Sequence, residues 1–197
     1  LLDAALFPGS QAKLLPGSRS HAQAASLVPL WPVLLDALRD LDATGQDVLV
    51  DAGRLGLEGS PRPLLMGSEV TLLLTRSTLP ALIAASSWAE TLREATAATP
   101  TRLGLVVVGE GHPYSGREVA ETLRLPLVAT LPWDRRSAAV LSRGRGAFPR
   151  RSALRSSLDA AGAALRSFAA SGQRRPLTPL QALLARPLPG AQVGGVR

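Results

Sequence analysis

Apolar residues along the chain fall into two kinds of pattern. Short runs rich in branched side chains alternate with longer stretches in which Leu and Ala recur every three or four positions. The short runs are Val48–Val50, Val70–Leu74, Leu103–Val108 and Leu127–Leu131, each bounded by Gly, Pro, Asp, Ser or Thr. Such runs read as buried strands of a parallel sheet. Between them the helical pattern returns. Pro32 suits a first turn, and Leu34, Leu35, Leu38 and Leu41 give one apolar face that Gly45 ends. Thr78 is placed as an N-cap with Pro80 in the first turn, and that helix runs to about Ala97, packing Leu79, Leu82, Ile83 and Leu92. Ser115 and Glu118 have capping-box spacing, which predicts a helix from Gly116 to about Leu123. Arg135–Leu141 reads as a short helix. Ser152 caps a last one, with Leu154, Leu158, Ala161, Leu165 and Phe168 as its apolar stripe. Shorter elements are expected at Ala12–Leu15 (strand), Ala22–Leu27 and Leu64–Met66 (helical turns).

Strands alternating with helices predict an α/β fold, a mostly parallel sheet flanked by helices on both faces. Its strand exits carry Asp51-Ala52-Gly53, Thr75-Arg76, Gly109-Glu110 and Pro132-Trp133-Asp134. In open α/β sheets ligands bind at the carboxyl ends of the strands. Asp51, where the apolar run Val48–Val50 of DVLVDAGRLG ends, is the carboxylate of greatest interest on that rim, and Gly53 after it allows close approach. The plainer alternative is that Asp51 caps a loop.

Composition narrows the chemistry. The 197 residues are 46% apolar and 19% charged, globular proportions. There is no Cys, and His21 and His112 have no metal-ligand spacing, so thiolate and His-based metal sites are not expected. No run has the roughly 18 apolar residues of a membrane span, and no signal peptide is visible, so the cytoplasm is the expected location. Tyr114 and His112 lie in an expected rim loop. Trp31, Trp88 and Trp133 are irregularly spaced and read as packing residues. No Ser sits in a G-x-S-x-G setting, and no G-x-G-x-x-G follows a strand, which removes the α/β-hydrolase and dinucleotide-binding readings.

The net charge of +7 sits in one place. Arg135, Arg136, Arg143, Arg145, Arg150, Arg151 and Arg155 fall in a segment without acids, while elsewhere acids and bases balance. Two readings stay open: a patch that neutralises nucleic-acid phosphates without sequence preference, or a solvated surface. From Ser171 onward the chain is rich in Pro, Gly, Arg and Gln, and 171–197 reads as a flexible tail after a domain spanning 1–170.

The series DVLVDAGRLG, SEVTLLLTRS, LGLVVVG and LPLVATLPWD resembles the second half of ParA/MinD-type ATPases, deviant P-loop NTPases that partition chromosomes or plasmids and position cell-surface machinery. The resemblance covers about Leu1–Phe168. It implies that Asp51 holds Mg2+ through water and orders the attacking water. It further implies that Gly53, Gly109, Pro132 and Asp134 border the nucleotide, with Pro132 and Asp134 near the adenine. Where the family often has Asn, this chain has Gly109-Glu110. The implied cofactors are ATP and Mg2+, and the implied assembly is an ATP-dependent homodimer bound to DNA or to a membrane-associated partner. The family's Lys-containing glycine-rich phosphate loop has no counterpart: the sole lysine, Lys13, lies in Gln-Ala-Lys-Leu-Leu. With no initiator Met and a start that reads as helix interior, the expectation is an ATPase whose phosphate loop lies upstream. The alternative is a nucleotide-free pseudo-ATPase serving as a scaffold or a non-specific DNA-binding module.

Overall fold

The computed structural model describes residues 12–17, 20–57, 59–143, 148, 149 and 151–173. Arg145, Arg150 and residues 174–197 of the expected tail (171–197) lie outside the described residues, as does the start of the chain; 171–173 end the last helix instead of beginning the tail. Cα packing divides the chain into two compact units, Leu1–Trp133 and Asp134–Arg197.

The first unit is built on a three-stranded parallel sheet in the order β1 (Val70–Arg76), β2 (Arg102–Val108), β3 (Leu127–Leu131). Val70 pairs with Arg102 and Arg76 with Val108; a register shift at Leu105/Val106 precedes the pairing of Val108 with Leu131. Three short helices precede the sheet: α1 (His21–Ser26), α2 (Trp31–Arg39) and α3 (Arg62–Gly67). Parallel neighbours need crossovers, and two further helices supply them. α4 (Leu79–Thr96) links β1 to β2, and α5 (Gly116–Leu123) links β2 to β3.

One core joins this sheet to the two crossover helices. Leu73, Leu105 and Val107 point from the sheet into Leu82, Ala85, Ala89 and Leu92 of α4 and Val119 and Leu123 of α5. The α4 positions step by three and four, so they form one stripe. Leu79 and Ile83, expected in that stripe, are exposed instead, Leu79 as the first residue of the helix and Ile83 one position past Leu82 and so about 100° around the axis from it. On the opposite face of β1, Leu74 is 61% exposed.

Caps set most helix boundaries. The Ser115 hydroxyl accepts from the Glu118 N–H, and Glu118 accepts from the Ser115 N–H, completing the predicted capping box. Hydrogen bonds from the Ser115 N–H and hydroxyl favour the charged form and hold the Glu118 carboxyl below its ordinary range. Ser20 caps α1, and Gly45 ends the turn after α2 in the left-handed region at φ 70°. Thr78 precedes α4 in extended backbone but makes no side-chain cap bond. Pro80 nonetheless sits in the first turn, as expected. Leu34, Leu35, Leu38 and Leu41 are half-buried, and Arg39 donates to the Gly67 carbonyl at 2.8 Å, tying α2 to α3. At Ala12–Leu15 only Leu14 forms an isolated bridge.

The largest correction concerns the stretch around Asp51. Val48–Val50 is not a strand of this sheet. These residues lie in coil, with Leu49 86% exposed. Branched side chains raise β propensity, but a strand forms only where a neighbour accepts its N–H and C=O groups. Gly45, and Gly53 at φ 70°, bracket a segment too short to hold itself extended. Leu49→Ser is therefore expected to shift the urea unfolding midpoint by no more than the equivalent of about 0.5 kcal/mol. A loss of about 2 kcal/mol, typical of a buried apolar side chain, would return the segment to the core.

The second unit contains α6 (Arg135–Arg143) and α7 (Ala153–Gln173). Asp134 Oδ1 accepts from the Ser137 N–H at 3.0 Å, and the Ser152 hydroxyl accepts from the Arg155 N–H at 3.1 Å, so both helices start on side-chain caps. In α7 the expected stripe is buried at Leu154, half-buried at Ala161, Leu165 and Phe168, and exposed at Leu158.

Candidate functional site

Three strands running the same way bring their exits to one end of the sheet. β1 ends at Arg76, β2 runs into Gly109-Glu110, and β3 runs into Pro132-Trp133. The convergence expected of these exits is present, now with three strands rather than four.

Ser77 knits the exits together. It is 1% exposed. Its N–H donates to the Val108 carbonyl, and its hydroxyl bonds the Gly109 and His112 carbonyls. The Tyr114 N–H donates back to the Ser77 carbonyl at 3.4 Å, and the Gly111 N–H to the Tyr114 carbonyl at 2.8 Å. The loop 109–114 is thus pinned to the end of β1. Gly109 is buried at φ 77°, and its N–H donates to the Leu131 carbonyl, which joins the end of β3 to the same frame. A Cβ at Gly109 would lie 3.5 Å from the Trp133 Cβ, so a side chain here meets strain in φ before it meets a clash. Ser77→Ala strips the hydroxyl from the carbonyl of buried Gly109 and from that of His112 in the exposed loop. It is expected to cost about 2 kcal/mol in equilibrium unfolding and to raise amide exchange across 109–114; unchanged exchange there would contradict the pinning role. A small polar residue in a Thr-Arg-Ser-Thr loop carries no sequence signal for this task.

Arg76 and Trp133 form the exposed part of the rim. The guanidinium lies 4.2 Å from the ring centroid, a cation–π stack, and Trp133 is 52% exposed. Trp133 therefore does not behave as the packing residue that its sequence suggested. Trp31 and Trp88 do: Trp31 donates to the Gly59 carbonyl at 3.2 Å, and the Trp88 ring comes within 2.9 Å of where a Gly56 Cβ would stand.

The carboxylates proposed from sequence are engaged locally. Asp51 is exposed, and its Oδ1 accepts from the Gly53 N–H at 2.9 Å, an Asx turn. The loop-cap alternative describes this contact, and nothing lies within 4 Å of a Cβ at Gly53. Asp134 caps α6, and hydrogen bonds from the Ser137 hydroxyl and N–H hold its carboxyl below the ordinary range. Glu110 Oε1 accepts from the Gly116 N–H at 3.1 Å, and the His112 Nδ1 lies 3.1 Å from the Glu110 carbonyl. Pro132 is half-buried between β3 and Trp133.

ATP and Mg2+ make specific demands on a donor set. A magnesium ion bound through water asks for one or two carboxylates plus phosphate oxygens. Asp51 keeps one carboxylate oxygen beyond its own turn, which suits that role. Among the described residues no cluster of three or more His, Cys, Asp or Glu gathers around a common point.

In the second unit Arg135, Arg136, Arg143, Arg151 and Arg155 are exposed. The Arg155 guanidinium lies 5.7 Å from the Phe148 ring centroid. Ion pairs among the described residues include Asp36–Arg39, Glu90–Arg93 and Arg117–Glu121, and none of these uses the arginines of the second unit. No described helix is long and apolar enough to cross a membrane.

Compared with family models, with curated proteins and with solved structures, the chain matches none.

Proposed function

We propose that this chain is the base-side part of a cytoplasmic ParA/MinD-like ATPase module, a nucleotide-dependent positioning or partitioning protein. The observation that carries the reading is the shared rim. Three parallel strands deliver Arg76, Gly109-Glu110 and Pro132-Trp133 to one edge, where α/β sheets take their ligands. In this reading Gly109 and Pro132 border the nucleotide, and Asp134 lies next in the chain. Asp51 is the residue that would serve Mg2+, through water, with Gly53 beside the nucleotide. The bound metal would neutralise phosphate charge, while Asp51 would orient water. An ATP-dependent homodimer is the expected working form. Calorimetric titration with ATP and Mg2+ of this chain and of the chain extended upstream through a phosphate loop, followed by turnover of Asp51→Ala in the extended form, tests the reading. Saturable binding with turnover lost in the variant supports it; the absence of nucleotide binding in both forms overturns it.

A second reading is favoured by the exposed arginines of α6 and α7, which make no ion pair within the described residues. Under it the chain is a nucleotide-free scaffold that holds DNA through phosphates. Binding must then weaken as salt rises, with log K falling linearly in log salt. Replacing Arg135, Arg136 and Arg143 together by Gln is expected to flatten that slope by about three units, roughly one for each phosphate no longer neutralised. A slope that survives the triple substitution would exclude α6 from the DNA-binding surface.

A further inference from the structure

We propose that Arg76, held on the face of Trp133, is the anion receptor of the rim and takes a phosphate group of an organic phosphate. The inference rests on the nucleotide reading above only for the identity of that organic part. Arg76 is the last residue of β1, so its main chain is fixed by the ladder with Val108. Its guanidinium is fixed in turn by the ring 4.2 Å away. Stacking uses the flat face of a guanidinium and leaves the N–H groups in its plane free to donate. Those N–H groups form a fork that matches two oxygens of a phosphate. Much of the entropy that an exposed Arg loses on binding is therefore already lost.

The charges around it point the same way. Within residues 75–78, 109–114 and 132–133, Arg76 is the only Arg or Lys. Glu110, the only Asp or Glu in those segments, spends Oε1 on the Gly116 N–H that begins α5. Among the described residues no carboxylate forms an ion pair with Arg76. The described rim thus presents a pre-oriented cation without a counter-ion, beside the half-exposed edge of an aromatic ring. A ligand that satisfies both has a phosphate for the fork and a flat group for the ring's edge.

The test uses the 197-residue chain and three probes in calorimetry: ATP, pyrophosphate and adenosine. The variants are Arg76→Gln, Arg76→Lys and Trp133→Leu, and their melting curves confirm that each is folded. Arg76→Gln is expected to weaken ATP and pyrophosphate at least tenfold and to leave adenosine unchanged. Arg76→Lys recovers part of the loss, since a point charge replaces the fork. Trp133→Leu weakens pyrophosphate as well, because the guanidinium loses its platform. If ATP binds and Arg76→Gln leaves its affinity unchanged, the receptor role is overturned while the nucleotide reading stands. If pyrophosphate binding depends on Arg76 but ATP binds no tighter than pyrophosphate and adenosine does not bind, the receptor stands and the base site falls. If no probe binds, the receptor role is overturned, and the pair is plain surface.

Discussion

Leu105→Ala is expected to destabilise the protein more than any other single truncation in the core, by about 2–5 kcal/mol. Leu105 is 0% exposed and sits mid-strand in β2, with strands on both sides and α4 and α5 above it. Removing its isobutyl group loses the transfer energy and opens a cavity. The ladder bonds of a central strand leave the main chain little freedom to close that cavity. The denaturant midpoint should fall while its slope stays constant, which separates lost stability from a changed unfolded state. The control substitution is Leu74→Ala on the outer face of β1, where 61% exposure predicts a much smaller cost.

Gly116→Val is expected to follow, at about 3 kcal/mol, for the opposite reason. A Cβ at Gly116 would stand 2.6 Å from the Thr130 Cγ2 and 3.3 Å from the Leu127 Cδ2. The first turn of α5 is pressed against β3, and only hydrogen fits between them. The same Cβ would lie 3.1 Å from Glu110 Oε1, the oxygen that accepts from the Gly116 N–H. Overpacking here therefore also disturbs the loop that Ser77 pins. Thermal unfolding with amide exchange at 109–116 reads both effects. A variant as stable as the parent would show that α5 can slide on the sheet.

The parts of the fold that were legible in the sequence are those whose signal is local. Ser115 and Glu118 announce α5 because both bonds of a capping box close within one turn. The runs Val70–Leu74, Leu103–Val108 and Leu127–Leu131 declare strands because each is a short apolar run bounded by turn residues; burial follows for β2, while β1 exposes Leu74 and β3 is at most half-buried. Val48–Val50 carries the same local signal and is not a strand, since pairing depends on a neighbour that a run of three residues cannot specify. That difference also reassigns Asp51. A carboxylate after a short apolar run suits a strand exit or an Asx turn equally, and the Gly53 N–H two residues on favours the turn. Asp134 repeats the lesson, because the residue that best caps α6 is also the one that suits a ligand rim.

The rim itself was half legible. Its exits could be named from the strand pattern. The stack of Arg76 on Trp133 could not, because the two residues belong to distant segments, and only the β1–β2–β3 register brings them together. Ser77 was invisible for the same reason: its partners, Gly109 and His112, are contributed by the next strand's loop.

The most direct measurement is an amide and indole chemical-shift map of the 197-residue chain titrated with ATP and Mg2+. The expected shifts cluster at Arg76, Ser77, Gly109, Glu110 and the Trp133 indole, saturate together, and leave Val48–Val50 and the outer face of α4 in place. Shifts confined to the arginines of α6 and α7, or none at the strand exits at saturating nucleotide, would contradict a nucleotide site on this rim.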